Sequence, residues 1–235
     1  MPDRGPPVIL CPMQVEERAV RRALNAAART SSHDAPATRV LRTGIGKDRI
    51  TACVRELSTS STPPAAFILA GVCGGLTPTI PLPPIARIID EHGHTWDHGI
   101  GFSPASPGGV VLIGVDRIVG SPADKADLAR ATGAAIVDME SHAFAALCES
   151  LGVPWSIVRG VSDTPDESLP PEVLGWLAPD GTTRTGRAVA DMARKPWLIP
   201  HMVRVMRRSS VVLPLVASRA VEIALKLENT HNSKS

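Results

Sequence analysis

The chain reads as an α/β layer fold built around a mostly parallel sheet. Three observations predict it. Short runs rich in Val and Ile alternate with amphipathic stretches along most of the sequence. Glycines and prolines cluster at the ends of those runs, as at Gly71, Gly74, Gly75, Gly108, Gly109 and Pro122. Finally, no Ser/Gly-rich or charged linker divides the 235 residues, so one domain spanning 1–235 is expected.

Taken in order, Val8–Cys11 is too short and too apolar to be anything but a buried strand, and Met13 to Arg29 follows as a helix. A strand near Val40 and a helix from Lys47 to Leu57 repeat the unit, and Ala66–Ala70 gives the next strand. Further strands are predicted at Ile85–Ile89, Val110–Val115, Ala134–Val137 and Trp155–Val161, with a helix from Glu140 to Leu151 between the last two. From Thr182 the pattern becomes helical, interrupted by Pro196, Pro200 and Pro214, so residues 182–228 form a helical C-terminal extension. It carries Arg194, Lys195, Arg204, Arg207 and Arg208 among bulky apolar residues. That composition fits a terminal helix with a solvated basic side, or a peripheral contact with a membrane surface.

Composition bounds the function. Twenty-five basic against 23 acidic side chains give a net charge of +2, too even to drive binding to a phosphate backbone, so nucleic acid is not expected as a partner. The four cysteines are widely spaced without a Cys-x-x-Cys pair, which argues for reduced thiols and a cytoplasmic location. The early apolar run Val8-Ile9-Leu10 is far shorter than a signal-peptide core, and Ser209 to Ser218, the longest uncharged tail segment, is about half of a bilayer span.

Several motifs invite chemistry. Gly44-Ile45-Gly46-Lys47 fails the P-loop pattern, because Leu41 and Asp48 stand where Gly and Ser/Thr are needed; a strand-to-helix turn remains, with Lys47 supporting an anion or the turn merely capping a helix. His92, His94, Asp97 and His98 crowd together, yet Trp96 occupies the position an additional ligand would need, and no metal is expected. Gly71 to Leu76 would let a ligand approach the main chain through Val72, Cys73 and Gly74. Glu140 at a helix start is either a dipole partner or an acceptor for a ribose diol, and Asp163 is either an Asx-turn residue or an acid beside a substrate.

Together, Met13-Gln14-Val15-Glu16, Thr43 to Lys47, Gly71 to Leu76, Val137-Asp138-Met139-Glu140 and Arg159-Gly160-Val161-Ser162-Asp163 resemble the nucleoside phosphorylase and methylthioadenosine/S-adenosylhomocysteine nucleosidase superfamily. The resemblance implies an α/β three-layer sandwich with a twisted mixed sheet flanked by helices, and cleavage of the N-glycosidic bond of a 5′-substituted adenosine by an oligomeric enzyme without a cofactor, phosphate or water being the nucleophile. It implies that Asp163 protonates the purine, Met139 and Glu140 hold the ribose, Arg159 supports Glu140, and Glu16 activates water. Val72, Cys73, Gly74, Asp116, Arg117, Ile118 and Ser162 complete the substrate-binding set. Val72 replaces a hydroxyl residue of the family, Arg117 an aromatic one, and Pro83-Pro84 a Gly-Asp pair. The run Trp176 to Gly181 with Arg194 to Pro200 looks like the hopanoid-associated branch, which implies a lipid-linked nucleoside and a place at the inner membrane face. The rivals are a soluble thioether-nucleoside or futalosine-type hydrolase and a non-catalytic nucleoside-binding module. In any catalytic case, charge developing on the sugar calls for nearby anions, and the departing base calls for a proton.

Overall fold

The computed structural model describes residues 4–30, 37–97, 99–100, 108–170, 172 and 175–232. Eight strands form one mixed sheet: β1 (Val8–Cys11), β2 (Arg39–Arg42), β3 (Phe67–Gly75), β4 (Ile85–Asp90), β5 (Thr95–Trp96), β6 (Val110–Gly114), β7 (Ile136–Asp138) and β8 (Trp155–Asp163). The order is β2-β1-β3-β7-β6-β4-β5, with β8 also paired to β3. The helices are α1 (Gln14–Thr30), α2 (Lys47–Ser58), α3 (Pro122–Thr132), α4 (Ser141–Ser150), α5 (Thr185–Arg194) and α6 (Leu198–Asn232).

The central strands are apolar at successive positions because both faces of the sheet are covered. Alternate side chains diverge: Val8, Leu10, Phe67 and Leu69 join the layer under α2 and α4, whereas Ile9, Cys11, Ile68 and Ala70 join the layer under α1 and α6. In the first layer the rings of Phe144 and Trp155 meet edge to face with centroids 6.2 Å apart.

The hub is β3. Its first half pairs in parallel with β1 and β8, and its glycine-rich end pairs antiparallel with β7 through Gly74 opposite Val137. The strand therefore continues through Gly71 to Gly75, beyond the expected end at Ala70. Likewise β8 runs on to Asp163, with a register shift between Cys73 and Gly74 that brings Gly74 opposite Asp163. The Asx-turn reading of Asp163 is thereby replaced by a strand terminus.

Two further departures concern helices. Pro122, read as punctuation, opens α3: Ser121 Oγ accepts from Asp124 N at 3.1 Å, and proline tolerates the first turn because its missing N–H would be unbonded there. Of the tail's prolines, Pro196 separates α5 from α6 as expected, but Pro200 and Pro214 do not break the helix that follows. Pro200 lies in the first turn of α6 and Pro214 inside it, within one helix of 35 residues. Burial outweighs the lost hydrogen bond, since Val212, Val216, Ala217, Ala220, Val221 and Ala224 are packed against the sheet and α1.

This contact explains Gly160, whose added Cβ would fall inside van der Waals distance of Val212 Cγ1 and Val216 Cγ2. Gly160→Ala should lower unfolding free energy by roughly 1–3 kcal/mol through overpacking. A urea midpoint unchanged from the parent would show that α6 is not seated on β8 as described.

Candidate active site

The site is built around a buried guanidinium. Arg159 lies at mid-β8, opposite Gly71 of β3. Its Nη2 reaches Asp138 Oδ2 at 2.6 Å and Glu140 Oε2 at 3.0 Å, and its Nε reaches Ser141 Oγ at 3.5 Å. Burial opposes its charge, but Asp138, Glu140 and Glu16 hold it protonated above its ordinary value. A Cβ at Gly71 would stand 2.5 Å from both Arg159 Nη1 and Glu16 Oε1, so no larger residue fits there.

Glu16 arrives by a local device. It sits in the first turn of α1 and its Oε2 accepts from Met13 N at 2.7 Å, the back-reaching half of a capping box. Oε1 accepts from Val72 N at 2.8 Å, which fixes the carboxylate over β3. Desolvation pushes its pKa up to about 7, against the opposing pull of Arg159 and the two backbone N–H groups.

Glu140 is the N-cap residue of α4 but makes no side-chain cap bond. Its Oε1 accepts from Gly46 N at 2.8 Å and its Oε2 from Arg159, so the simple dipole-partner reading is superseded. Burial raises its pKa as well, with Arg159 opposing. Beside it, Asp138 takes Ser141 N at 3.1 Å and the Ser141 hydroxyl.

Asp163 closes the other end. Its Oδ2 is paired with the ammonium of Lys125, and its Oδ1 lies 2.9 Å from Ser162 Oγ, which is also 3.1 Å from Cys73 O. Every buried charged side chain among the described residues belongs to this cluster: Glu16, Asp138, Glu140 and Asp163 against Arg159 and Lys125.

All but Lys125 line one cavity of about 340 Å³. Val72, Cys73 and Gly74 from β3, Met139, Ser162, and Arg117 with Ile118 line it too. Arg117 also reaches Glu91 at 3.4 Å. Asp116 does not line this cavity. It pairs with Lys47 and lies 3.4 Å from His142 Nε2, in a neighbouring cleft that shares Ile45 and Met139. Lys47 is thus bonded to a carboxylate, where an anion-supporting role had been considered.

Sequence reasoning missed Asp138 and Ser141 as site residues, although Asp138 lies within the quoted motif and Ser141 directly follows it, and it missed Lys125 altogether. It also missed the strap at Leu177, Ala178 and Pro179. That strap covers the cavity through Ile45 N bonded to Pro179 O at 3.0 Å and Gln14 N bonded to Gly181 O at 2.9 Å. The histidine cluster is dispersed: His94 Nδ1 lies 2.8 Å from Asp90 Oδ2, Asp97 is paired with Arg87, and His98 is outside the described residues. No group of three metal-ligating side chains occurs among the described residues.

Residues 98–194 match the model of the phosphorylase superfamily. Among solved structures, the chain is similar to a mutant of Helicobacter pylori MTAN with 5′-methylthioadenosine in its active site, at 15% identity over 98% of this chain and 99% of that one, TM-score 0.56. It is similar to the futalosine hydrolase of Helicobacter pylori at 16% identity over 98% of each chain, TM-score 0.57. It is also similar to the 5′-methylthioadenosine nucleosidase of Arabidopsis thaliana at 15% identity over 98% of this chain and 97% of that one, TM-score 0.58. No curated protein matches. The chain carries the fold of this superfamily, a mixed α/β sheet with flanking helices and a long C-terminal helix.

Glu16 supplies a stability prediction. With burial raising its pKa from the ordinary 4.5 to about 7, the folded state binds the extra proton between those values. Its stability therefore falls as pH rises through that window, by about 3 kcal/mol for this group alone. Glu16→Gln should flatten that slope. An unaltered dependence of unfolding free energy on pH in the variant would place the effect elsewhere.

Proposed function

We propose that this protein hydrolyses the N-glycosidic bond of a 5′-substituted adenosine, releasing adenine. The observation that carries this reading is the convergence of Glu16, Glu140 and Asp163 on one cavity with more buried carboxylates than cations. An oxocarbenium-like sugar is stabilised by such surroundings, whereas a bound anion is not.

In the proposed reaction Asp163 donates its proton to the purine, and the glycosidic electron pair leaves with the base as neutral adenine. Glu140 and Met139 hold the ribose. Glu16 takes a proton from water as the oxygen bonds to the sugar carbon, and a pKa near 7 suits a base at neutral pH. Arg159 Nη1, buried without a protein partner, lies beside Glu16 and offers a donor to a water or sugar oxygen. Proton return from Glu16 to Asp163 through solvent closes the cycle.

Water is favoured over phosphate because the buried carboxylates outnumber the buried cations, of which Lys125 has no spare donor and Arg159 keeps only Nη1. Arg159 is bonded to two carboxylates, and Lys125 to Asp163 and two carbonyls. A phosphate dianion entering the cavity would meet Glu16, Glu140 and Asp163 with no free ammonium to offset them.

A lipid as the 5′ substituent is a second reading, supported by the first half of α6. Ile199, Val203, Met206, Val211 and Leu215 are exposed there, preceded by exposed Trp197. No acid occurs between Asp191 and Glu222, while Arg204 and Arg207 flank the apolar residues. Such a surface suits an anionic bilayer interface, and no helix among the described residues is long and apolar enough to cross a membrane.

Chromatography of 5′-methylthioadenosine incubated with the protein should reveal adenine at equal rates with and without phosphate. Release that requires phosphate would replace water as the nucleophile. Asp163→Asn should reduce release by roughly 10²–10⁴-fold, and full turnover in that variant would contradict the acid assignment. For the second reading, the protein should sediment with phosphatidylglycerol vesicles at low salt, and Trp197→Ala/Met206→Ser should weaken this; no sedimentation in any salt removes the lipid argument.

A further inference from the structure

We infer that Lys125 is a positioning residue for proton delivery by Asp163, an inference that rests on the nucleosidase reading. Lys125 comes from the first turns of α3, and its side chain is completely buried. Burying an ammonium so fully requires that its donors be matched. All three are: Nζ is bonded to Asp163 Oδ2, to Thr164 O at 2.7 Å and to Glu167 O at 3.0 Å.

The arrangement does more than tie α3 to the loop after β8. Two carbonyl bonds already hold that loop, and Glu167 adds its own anchors by accepting from Thr164 N at 2.8 Å and pairing with Arg208 of α6. The third donor is spent on one oxygen of Asp163. With Oδ2 fixed, Oδ1 is left towards Ser162 and the cavity, so the carboxyl cannot rotate away from a base bound there.

Ser162 accommodates both protonation states. Its single hydroxyl hydrogen has two acceptors within reach, Asp163 Oδ1 and Cys73 O. When Asp163 is ionised the hydroxyl donates to Oδ1; when Oδ1 carries the proton, the hydroxyl turns to Cys73 O and leaves that proton for the base. As the proton passes from Asp163 to the purine and the glycosidic electrons leave with the base, a carboxylate is formed against the Lys125 ammonium. The buried cation thus stabilises the charge that appears on Asp163 in the transition state, without touching substrate.

A residue acting through the acid should matter only when the leaving group needs a proton. The test compares 5′-methylthioadenosine with the matched 4-nitrophenyl 5-methylthioriboside, whose nitrophenolate departs unprotonated. Lys125→Met should slow adenine release by roughly 10²-fold while nitrophenolate release stays within about threefold of the parent. In an Asp163→Asn background, where the acid is already gone, adding Lys125→Met should change adenine release by less than about threefold. That neutral pair also removes the unmatched buried charge that could keep the single variant from folding.

Equal slowing of both substrates by Lys125→Met overturns the assignment and leaves Lys125 as a structural tie. So does a further large loss in the Asp163→Asn background. Parent protein that releases neither adenine nor nitrophenolate overturns the nucleosidase reading itself, and Lys125 with it. Parent release of adenine with equal losses on both substrates overturns the Lys125 inference alone.

Discussion

The pairing of Arg159 with Asp138 and Glu140 is the constraint on which the rest of the site depends. Carboxylates inside a sheet-and-helix sandwich are tolerated only when their charge is matched and their oxygens bonded. One guanidinium meets both requirements for two acids from the β7–α4 junction, because its planar fork can serve several oxygens together. The strand carrying Arg159 must then lie beside β3, and β3 must have glycine at position 71 to leave room for the guanidinium and for Glu16. The glycine-rich end of β3, the start of α1 and the α4 N-terminus are thereby locked around one space.

That space has an uneven charge, and the unevenness has a physical direction. Four buried acids surround two buried bases, and desolvation lifts Glu16 and Glu140 above the ordinary carboxylate range. A cavity of this kind repels anions and favours positive charge on whatever occupies it. Its two cations differ in character. Arg159 spreads its contacts over two acids and a hydroxyl, whereas Lys125 concentrates a compact charge on one carboxylate oxygen and two carbonyls. The two ends of the cavity are consequently held by different chemistries.

The C-terminal helix has two halves with different surroundings. From Val212 onward one side of it completes the core against β8 and α1, while Ile199, Val203, Met206, Val211 and Leu215 face outward. Arg208 stands at the junction and pairs with Glu167, whose main chain holds Lys125. A continuous series of bonds therefore runs from α6 through the loop after β8 to Asp163. The helix that looks like an appendage in sequence is joined to the acid end of the site.

Local signals determined a good deal from the sequence alone. The buried strands were legible because both-sided burial leaves uninterrupted apolar runs. Glu16 was legible only through the resemblance; its reach back to Met13 N at the helix start came from the structure. Asp138, Glu140 and Arg159 were legible as a motif through a recognised resemblance. Only the tertiary structure decided the remainder. Whether Gly71 to Gly75 is a turn or a strand depends on pairing with β7 and β8, distant in sequence. Asp116 turned to Lys47 and His142 in the neighbouring cleft because of where α2 and α4 lie. Pro214 stays helical because the residues after it are buried. Lys125 carries no mark in the sequence at all, since its significance comes from a loop some 40 positions away folding over it. Sequence encodes such contacts only through the packing of the whole chain, where burial and long-range register override local preference.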